Sequence, residues 1–115
     1  MGDKSISSDI IRGHIDAIIL RVLCEKDSYG YEIIKTIFKN SGEQYELKEP
    51  SLYTSLKRLE AQKLIVSYWG DESQGGRRKY YQVTEAGRAA YASALASWKV
   101  ARQLIDQLIE RREEA

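Results

Sequence analysis

The sequence predicts a mainly helical α+β fold, with a three-helix core, one β-hairpin and one long C-terminal helix. Three observations support this prediction. Apolar residues recur at helical spacings in three successive stretches before residue 63. Two β-prone runs then flank a segment rich in glycine and polar residues, which is typical of a hairpin. Beyond the hairpin, a helical pattern continues without proline to about residue 112.

The three short helices are expected where apolar residues share one face. Residues 10–23 form the first, an almost continuously apolar and therefore largely buried stretch. Ser28 is a suitable N-cap for the second helix, which is expected to continue to Lys39. The third is expected to open at Pro50, whose fixed backbone angle suits a first helical turn, and to run to about Gln62.

The hairpin and the long helix complete the predicted architecture. Residues 64–69 and 77–83 are the expected strands, and Thr84 is the expected N-cap of the last helix. A helix, a turn and a second helix followed by a hairpin is the winged helix-turn-helix arrangement, in which the hairpin is called the wing. We therefore expect residues 1–83 to form a winged helix-turn-helix DNA-binding domain. Residues 84–115 are expected to add a dimerisation helix to the same compact unit.

Composition and charge fit a single folded domain with one basic region. The chain has 115 residues, of which 43% are hydrophobic and 30% charged, a balance typical of a soluble globular domain. The net charge is only +1, but basic residues outnumber acidic ones from 48 to 79, and the reverse holds from 103 to 115. The middle of the chain is therefore expected to face an anionic partner. The sequence has no apolar run long enough to span a bilayer and no signal-peptide core, which predicts a cytoplasmic protein without membrane contacts.

The sequence offers little for catalysis or for metal binding. His14 is the only histidine and Cys24 the only cysteine, and no acidic residue pairs with either at a recognisable spacing. The glycine-rich P-loop pattern that cradles nucleotide phosphates is absent as well. We therefore expect neither an enzyme nor a bound metal or cofactor. Cys24 is expected to be a small buried side chain, and His14 to lie in the core or at an interface.

The third helix and the hairpin tip carry the residues suited to DNA. A helix that enters the major groove must present short polar side chains and cations on one exposed face. The hairpin tip places two glycines beside three consecutive cations, which suits a close approach to a minor groove or its phosphates. The expected contacts to double-stranded DNA are Ser51, Tyr53, Thr54, Lys57, Arg58, Lys63, Gln74, Gly75, Gly76, Arg77, Arg78 and Lys79. For the helix alone, an ordinary solvated face is the alternative interpretation.

The last helix predicts a partner. Residues 84–112 would extend about 43 Å as a helix, which is longer than a domain this small can cover. Apolar residues repeat along it at alternating spacings of four and three, as in a helix packed along another helix. We expect a homodimer whose two DNA-binding domains bind the two halves of a palindromic operator. The expected dimer contacts are Leu95, Ala101, Ile105, Leu108 and Ile109. The alternative is a helix that folds back on its own domain, as its first two turns are expected to do.

Four segments resemble a known family. Residues 67–81 closely resemble the wing of PadR-family transcriptional regulators, and residues 52–60 resemble the recognition helix of that family. Residues 29–34 resemble its second helix, and residues 83–87 resemble the start of its last helix. The resemblance covers almost the whole chain and implies a dimeric repressor that binds DNA. The single C-terminal helix resembles the multidrug-binding subgroup of the family.

The resemblance also implies a ligand site. In that subgroup a flat apolar pore lies at the dimer interface, and a tryptophan from each last helix stacks on planar aromatic ligands. Trp98 stands at the matching position, although it would equally serve to pack the dimer core. The other residues implied at the site are Ile10, Ala17, Leu20, Arg21, Ala94 and Arg102. Arg21 and Arg102 replace a neutral amide and an acid, so we expect neutral or anionic aromatic ligands rather than cations.

A protein-interaction module is the alternative function. Winged helices also serve as protein-binding domains, and an amphipathic last helix could bind a helix of another protein. DNA binding predicts a steep loss of affinity with salt, whereas docking through an apolar seam predicts little.

Overall fold

Five helices and three strands make up the described part of the chain. The computed structural model describes residues 8–70 and 77–110. Its elements in chain order are α1 (Ser8–Arg12), α2 (Ile15–Glu25), β1 (Ser28–Tyr29), α3 (Gly30–Asn40), α4 (Glu49–Ala61), β2 (Ile65–Trp69), β3 (Lys79–Val83) and α5 (Glu85–Ile109). The predicted fold class is confirmed: α3 and α4 are the helix-turn-helix pair, β2 and β3 are the wing, and α5 is the long helix.

The first predicted helix is two helices. The chain leaves the helical path at Gly13 and His14, and the His14 amide donates to the carbonyl of Ile11 at 2.7 Å to close a turn there. Glycine has a low helix propensity, so it is a favourable place for the break. The expectation of one continuous helix over residues 10–23 was therefore wrong, because apolar spacing continues across the interruption.

A short strand stands where the sequence predicts a helix cap. Ser28 belongs to β1, is completely buried, and donates its hydroxyl to the carbonyl of Lys26 at 3.2 Å instead of capping α3. Tyr29 occupies the N-cap position, and α3 begins at Gly30. Because β1 pairs antiparallel with β3, the sheet has three strands in the order β1-β3-β2, one more than expected.

The wing and the start of α5 agree with the prediction. β2 and β3 pair antiparallel from Ile65 opposite Val83 to Trp69 opposite Lys79. Thr84 caps α5, since its hydroxyl oxygen accepts a hydrogen bond from the Gly87 amide at 3.0 Å. A Cβ atom on Gly87 would lie 2.1 Å from the carbonyl oxygen of Leu64. The first turn of α5 therefore packs directly on the backbone at the base of the wing.

The hydrophobic core lies between α2, α3, α4 and the sheet. Its buried residues are Ile19, Leu20, Val22, Leu23, Ile33, Ile37, Leu47, Leu52, Leu56, Leu59, Ile65, Tyr81 and Val83. Of α5, Ala90 and Tyr91 pack against this core. From Leu95 onwards the large apolar side chains of α5 are exposed in the described chain. The core thus fixes α4 and the wing in place, and it does not cover the large apolar side chains of α5 from Leu95 onwards in the described part of the chain.

Candidate nucleic-acid interface

The polar face of α4 is turned to solvent. Leu52, Leu56 and Leu59 are buried on the core side of the helix. The predicted DNA contacts Ser51, Tyr53, Thr54 and Lys57 are all exposed on the other side. Lys63 is exposed just beyond the helix, in left-handed backbone with φ 63°. The structure thus brings five of the predicted contacts together around one open helix face.

Arg58 lies on this helix but is engaged within the chain. Its Nε and Nη2 atoms donate to the two carboxylate oxygens of Asp16 on α2, each at 2.8 Å. Nη2 also donates to the hydroxyl of Ser55 at 3.1 Å. Hydrogen bonds from Arg58 hold the pKa of the Asp16 carboxyl below its usual value, although partial burial acts in the opposite direction. Arg58 is thus paired with α2 in the free protein although its side chain is 48% exposed, and its expected contact with DNA stays a prediction. Ser55, whose hydroxyl accepts the bond from Nη2 of Arg58, is only 2% exposed.

Three cations stand at the base of the wing, and each lies over an aromatic ring. The Arg77 guanidinium is 4.7 Å from the ring centre of Trp69, and that of Arg78 is 4.6 Å from the ring of Tyr29. The Lys79 ammonium is 5.8 Å from the ring of Tyr81. Such cation–π contacts favour a limited set of side-chain positions while the charge stays exposed. The remaining predicted wing residues, Gln74, Gly75 and Gly76, lie outside the described residues.

A groove joins α4 to the wing. Its lining residues are Tyr29, Gly30, Tyr31, Tyr53, Arg78, Lys79 and Tyr81. The lining contains two cations and no acidic residue. Tyr29 and Tyr31 are not among the DNA contacts expected from the sequence, where residues 29–34 count only as part of the second helix. A glycine between two tyrosines just before a helix was the available signal.

Hydrogen bonds to Asp27 connect the strands of the wing to the segment before β1. Asp27 accepts hydrogen bonds from the Tyr68 hydroxyl at 2.5 Å and from the Gln82 side-chain amide at 3.2 Å. The bond to Asp27 raises the pKa of Tyr68 to about 12. Tyr68 in turn stacks on Tyr80, whose ring meets the edge of Tyr29. The aromatic support of Arg78 is therefore itself held by the sheet.

The predicted ligand and dimer residues surround the exposed part of α5. Trp98 is 38% exposed, and its ring makes an edge-to-face contact with His14, with 4.8 Å between the ring centres. The predicted dimer residues Leu95, Ile105, Leu108 and Ile109 are exposed, and Ala101 is half-buried. Val100 and Leu104 are also exposed, although they are not among the dimer contacts expected from the sequence.

The other predicted ligand residues divide into surface and core. Ile10 and Arg102 are exposed, and Ala17 and Ala94 are half-buried. Arg21 is exposed and forms an ion pair with Glu25 one turn later on α2. Leu20 is only 3% exposed and packs in the core of its own chain, so the expectation that it lines a ligand site is corrected. The core face of α2 is wide enough to take both Ile19 and Leu20.

Within residues 8–70 and 77–110, no group of three histidine, cysteine, aspartate or glutamate side chains could hold a metal ion. Across the same residues, no helix combines the length and the apolar character needed to cross a membrane.

Comparison with known proteins identifies the family. The model of the transcriptional regulator PadR-like family matches residues 19–93. An uncharacterised protein of Lysinibacillus sphaericus is 44% identical over 105 residues, covering 91% of this chain and 96% of that protein. The structure of a transcriptional regulator from Clostridium thermocellum matches with a TM-score of 0.83 and 42% identity, over 90% of this chain and 100% of that one. A PadR family transcription regulator from Clostridium difficile R20291 matches with a TM-score of 0.74 and 39% identity, over 84% and 99% of the two chains. The chain therefore belongs to the PadR-like family of transcriptional regulators.

Proposed function

We propose that the protein is a homodimeric repressor that binds a palindromic operator in double-stranded DNA through α4 and the wing. Family membership assigns it to the DNA-binding transcriptional regulators and agrees with the expectation that it is not an enzyme. The observation that carries the proposal is that the cations of the wing adjoin the exposed polar face of α4. The exposed face of α4 and the wing cations adjoin where Tyr53, Arg78 and Lys79 line the same groove.

The distal part of α5 supports the homodimer. Its exposed large apolar residues are Leu95, Trp98, Val100, Leu104, Ile105, Leu108 and Ile109. So many exposed apolar side chains on one helix of a small protein are typical of an interaction surface. A second copy of the chain offers the same stripe, so that two helices would cover each other's apolar residues. The dimer would also place two α4 helices on one side of a duplex.

Ligand sensing is a further part of the proposal. The sequence resembles the multidrug-binding repressor LmrR, in which paired tryptophans hold planar aromatic compounds. The exposed Trp98, with the half-buried alanines at 94 and 101 on either side, supports such a site between two copies of α5. Binding there would change repression only if the ligand prefers one spacing of the two α4 helices. Because Arg102 is exposed beside Trp98, we propose that neutral or anionic aromatic compounds are preferred.

A DNA titration at several salt concentrations tests the proposal. The wild type and the double variant Arg77→Ala, Arg78→Ala would be titrated with an operator obtained by selection from a random duplex library. The logarithm of affinity should fall by about 0.9 per neutralised phosphate for each unit in the logarithm of salt. The double variant should bind more weakly and with a shallower slope.

A charge-matched control separates local contacts from net charge. The double variant Lys39→Ala, Lys99→Ala also removes two exposed cations, one at the far end of α3 and one on α5. It should keep both the affinity and the slope of the wild type. Affinity that hardly depends on salt, and no preference for a selected duplex, would contradict DNA binding and favour the protein-interaction module.

A further inference from the structure

We propose that the groove between the start of α3, Tyr53 and the base of the wing binds the sugar-phosphate backbone of DNA. In this proposal Tyr53 contacts the backbone, although it projects from the helix expected to read bases. The inference rests on the proposed function, because it assumes that α4 and the wing bind a duplex. It adds the junction of β1 and α3 as a third DNA-binding element.

The position of Tyr53 is the first step of the argument. A Cβ atom on Gly30 would lie 2.2 Å from the Tyr53 Oη atom and 2.9 Å from its Cζ atom. The ring of Tyr53 therefore leans back from α4 and rests against the first residue of α3. Its hydroxyl reaches the groove and not the outer side of α4, where Ser51 and Thr54 are exposed. From this position Tyr53 is turned away from the base edges that α4 would meet.

The hydroxyl groups in the groove are available to a ligand. Tyr53 is 45% exposed and Tyr31 is 61% exposed. Across residues 8–70 and 77–110, neither hydroxyl has a hydrogen-bond partner in the protein, whereas that of Tyr68 is bound to Asp27. Tyrosine hydroxyls donate to phosphate oxygens in protein–DNA contacts. The groove thus presents two neutral donors a short distance from the wing.

Charge decides which kind of ligand these donors suit. Arg78 and Lys79 stand in the groove wall, and no acidic side chain lines it. Arg78 lines this groove with its guanidinium 4.6 Å from the ring centre of Tyr29, and a planar guanidinium can bind a phosphate through two hydrogen bonds. An anion with several acceptor oxygens is therefore the matching ligand. The backbone of a duplex is favoured over a free anion because the groove lies between the two surfaces that a duplex would touch.

Variants that remove a single hydroxyl test the groove. Tyr53→Phe and Tyr31→Phe keep the rings and their packing. Tyr45→Phe is the matched control, since Tyr45 is half-buried in the segment before α4 and outside the groove. Fluorescence anisotropy would give affinities for a selected operator and for a random-sequence duplex. Each groove variant should bind both duplexes about three- to tenfold more weakly. The ratio of the two affinities and the control should be unchanged.

The outcomes separate backbone contacts from base contacts. Thr54→Ala, on the outer side of α4, should lower affinity for the operator only. If Tyr53→Phe instead changes the ratio of operator to random affinity, Tyr53 reads bases and the inference is overturned. If the wild type binds DNA and both groove variants bind it equally well, the inference about the groove is overturned, but the proposed function is not. A wild type that binds no duplex at low salt overturns the proposed function itself.

A second variant moves Tyr53 without altering it. In Gly30→Ala the new methyl group needs the space of the Tyr53 hydroxyl, so the ring must swing out of the groove. Alanine favours helix formation over glycine at this position, and we expect thermal unfolding no earlier than in the wild type. Binding to both duplexes should weaken as in Tyr53→Phe. A Gly30→Ala protein that melts like the wild type and keeps full affinity would overturn the assigned position of Tyr53.

Discussion

Arg58 shows at the scale of one residue how a cation on a DNA-binding helix can serve the fold. The flat fork of a guanidinium suits a phosphate, a base or a carboxylate equally well. In this chain a carboxylate of the same protein occupies it, since both oxygens of Asp16 accept from Arg58. Asp16 lies in the first turn of α2 and Arg58 near the end of α4. The pair therefore fixes one end of the recognition helix against α2.

Removal of Asp16 should weaken DNA binding although it frees a cation. In Asp16→Asn the paired geometry is lost, so α4 loses a fixed attachment and the midpoint of thermal unfolding should fall. If Arg58 serves to hold α4 against α2, the affinity for the operator, measured by anisotropy titration, should fall together with the unfolding midpoint. If Arg58 is a DNA contact, its release should raise affinity, which would contradict our interpretation. Glu46→Gln breaks the exposed Glu46–Lys48 pair and is the control for loss of a surface ion pair.

Acidification should break the same ion pair between Arg58 and Asp16. The pKa of Asp16 is lowered in the folded protein by Arg58, whereas the unfolded chain has the ordinary value of about 3.9. The contribution of the pair to stability is therefore present above about pH 4 and is lost as the pH falls through the lower folded-state pKa. The difference in unfolding midpoint between the wild type and Asp16→Asn should be constant from about pH 7 to pH 5. It should narrow below pH 4, and a difference that widens on acidification would contradict this assignment.

At the scale of elements, the wing combines charge with aromatic support. Arg77 provides charge, whereas Trp69 positions it at 4.7 Å. Trp69→Ala should weaken DNA binding by about two- to fivefold and leave the salt slope unchanged, because no charge is lost. Arg77→Ala should lower the slope by about 0.9 for one lost phosphate contact. Titrations at four salt concentrations distinguish the two. A reduced slope for Trp69→Ala, or for the control Trp69→Phe, would show that Trp69 does more than position the cation.

The elements also show what the sequence could predict and why. The wing strands, α4 and the Thr84 cap depend on local signals, namely alternation, a first-turn proline and a capping hydroxyl, and each was predicted within two residues. The break at Gly13 was missed because the apolar spacing runs through it. Two-residue β1 has too few residues for a pattern, and its existence depends on pairing with β3. The bond between Arg58 and Asp16 joins residues 42 positions apart, which no local signal reports.

At the scale of the whole molecule, the exposed seam of α5 determines the predicted assembly. Ile105 and Leu108 are 46% and 74% exposed, and a charge at either position would be buried in the proposed dimer. The double variant Ile105→Asp, Leu108→Asp should be monomeric by light scattering after gel filtration. Gln103→Asp, an exposed polar position on another face of the same helix, is the control and should keep the mass of the wild type. A double variant that stays dimeric would place the interface elsewhere.

The proposed dimer brings two copies of Trp98 together, and the charges around them should decide which aromatic ligands bind. In a Trp69→Phe background, tryptophan fluorescence reports Trp98 alone, since the chain has two tryptophans. A planar aromatic anion should quench this fluorescence at lower concentration than a cation of the same size, because Arg102 is exposed one turn from Trp98 while Glu25 neutralises Arg21. Arg102→Glu should reverse this order, whereas Lys99→Glu is the control for net charge. If Arg102→Glu leaves the order unchanged, Arg102 does not select the charge of the ligand.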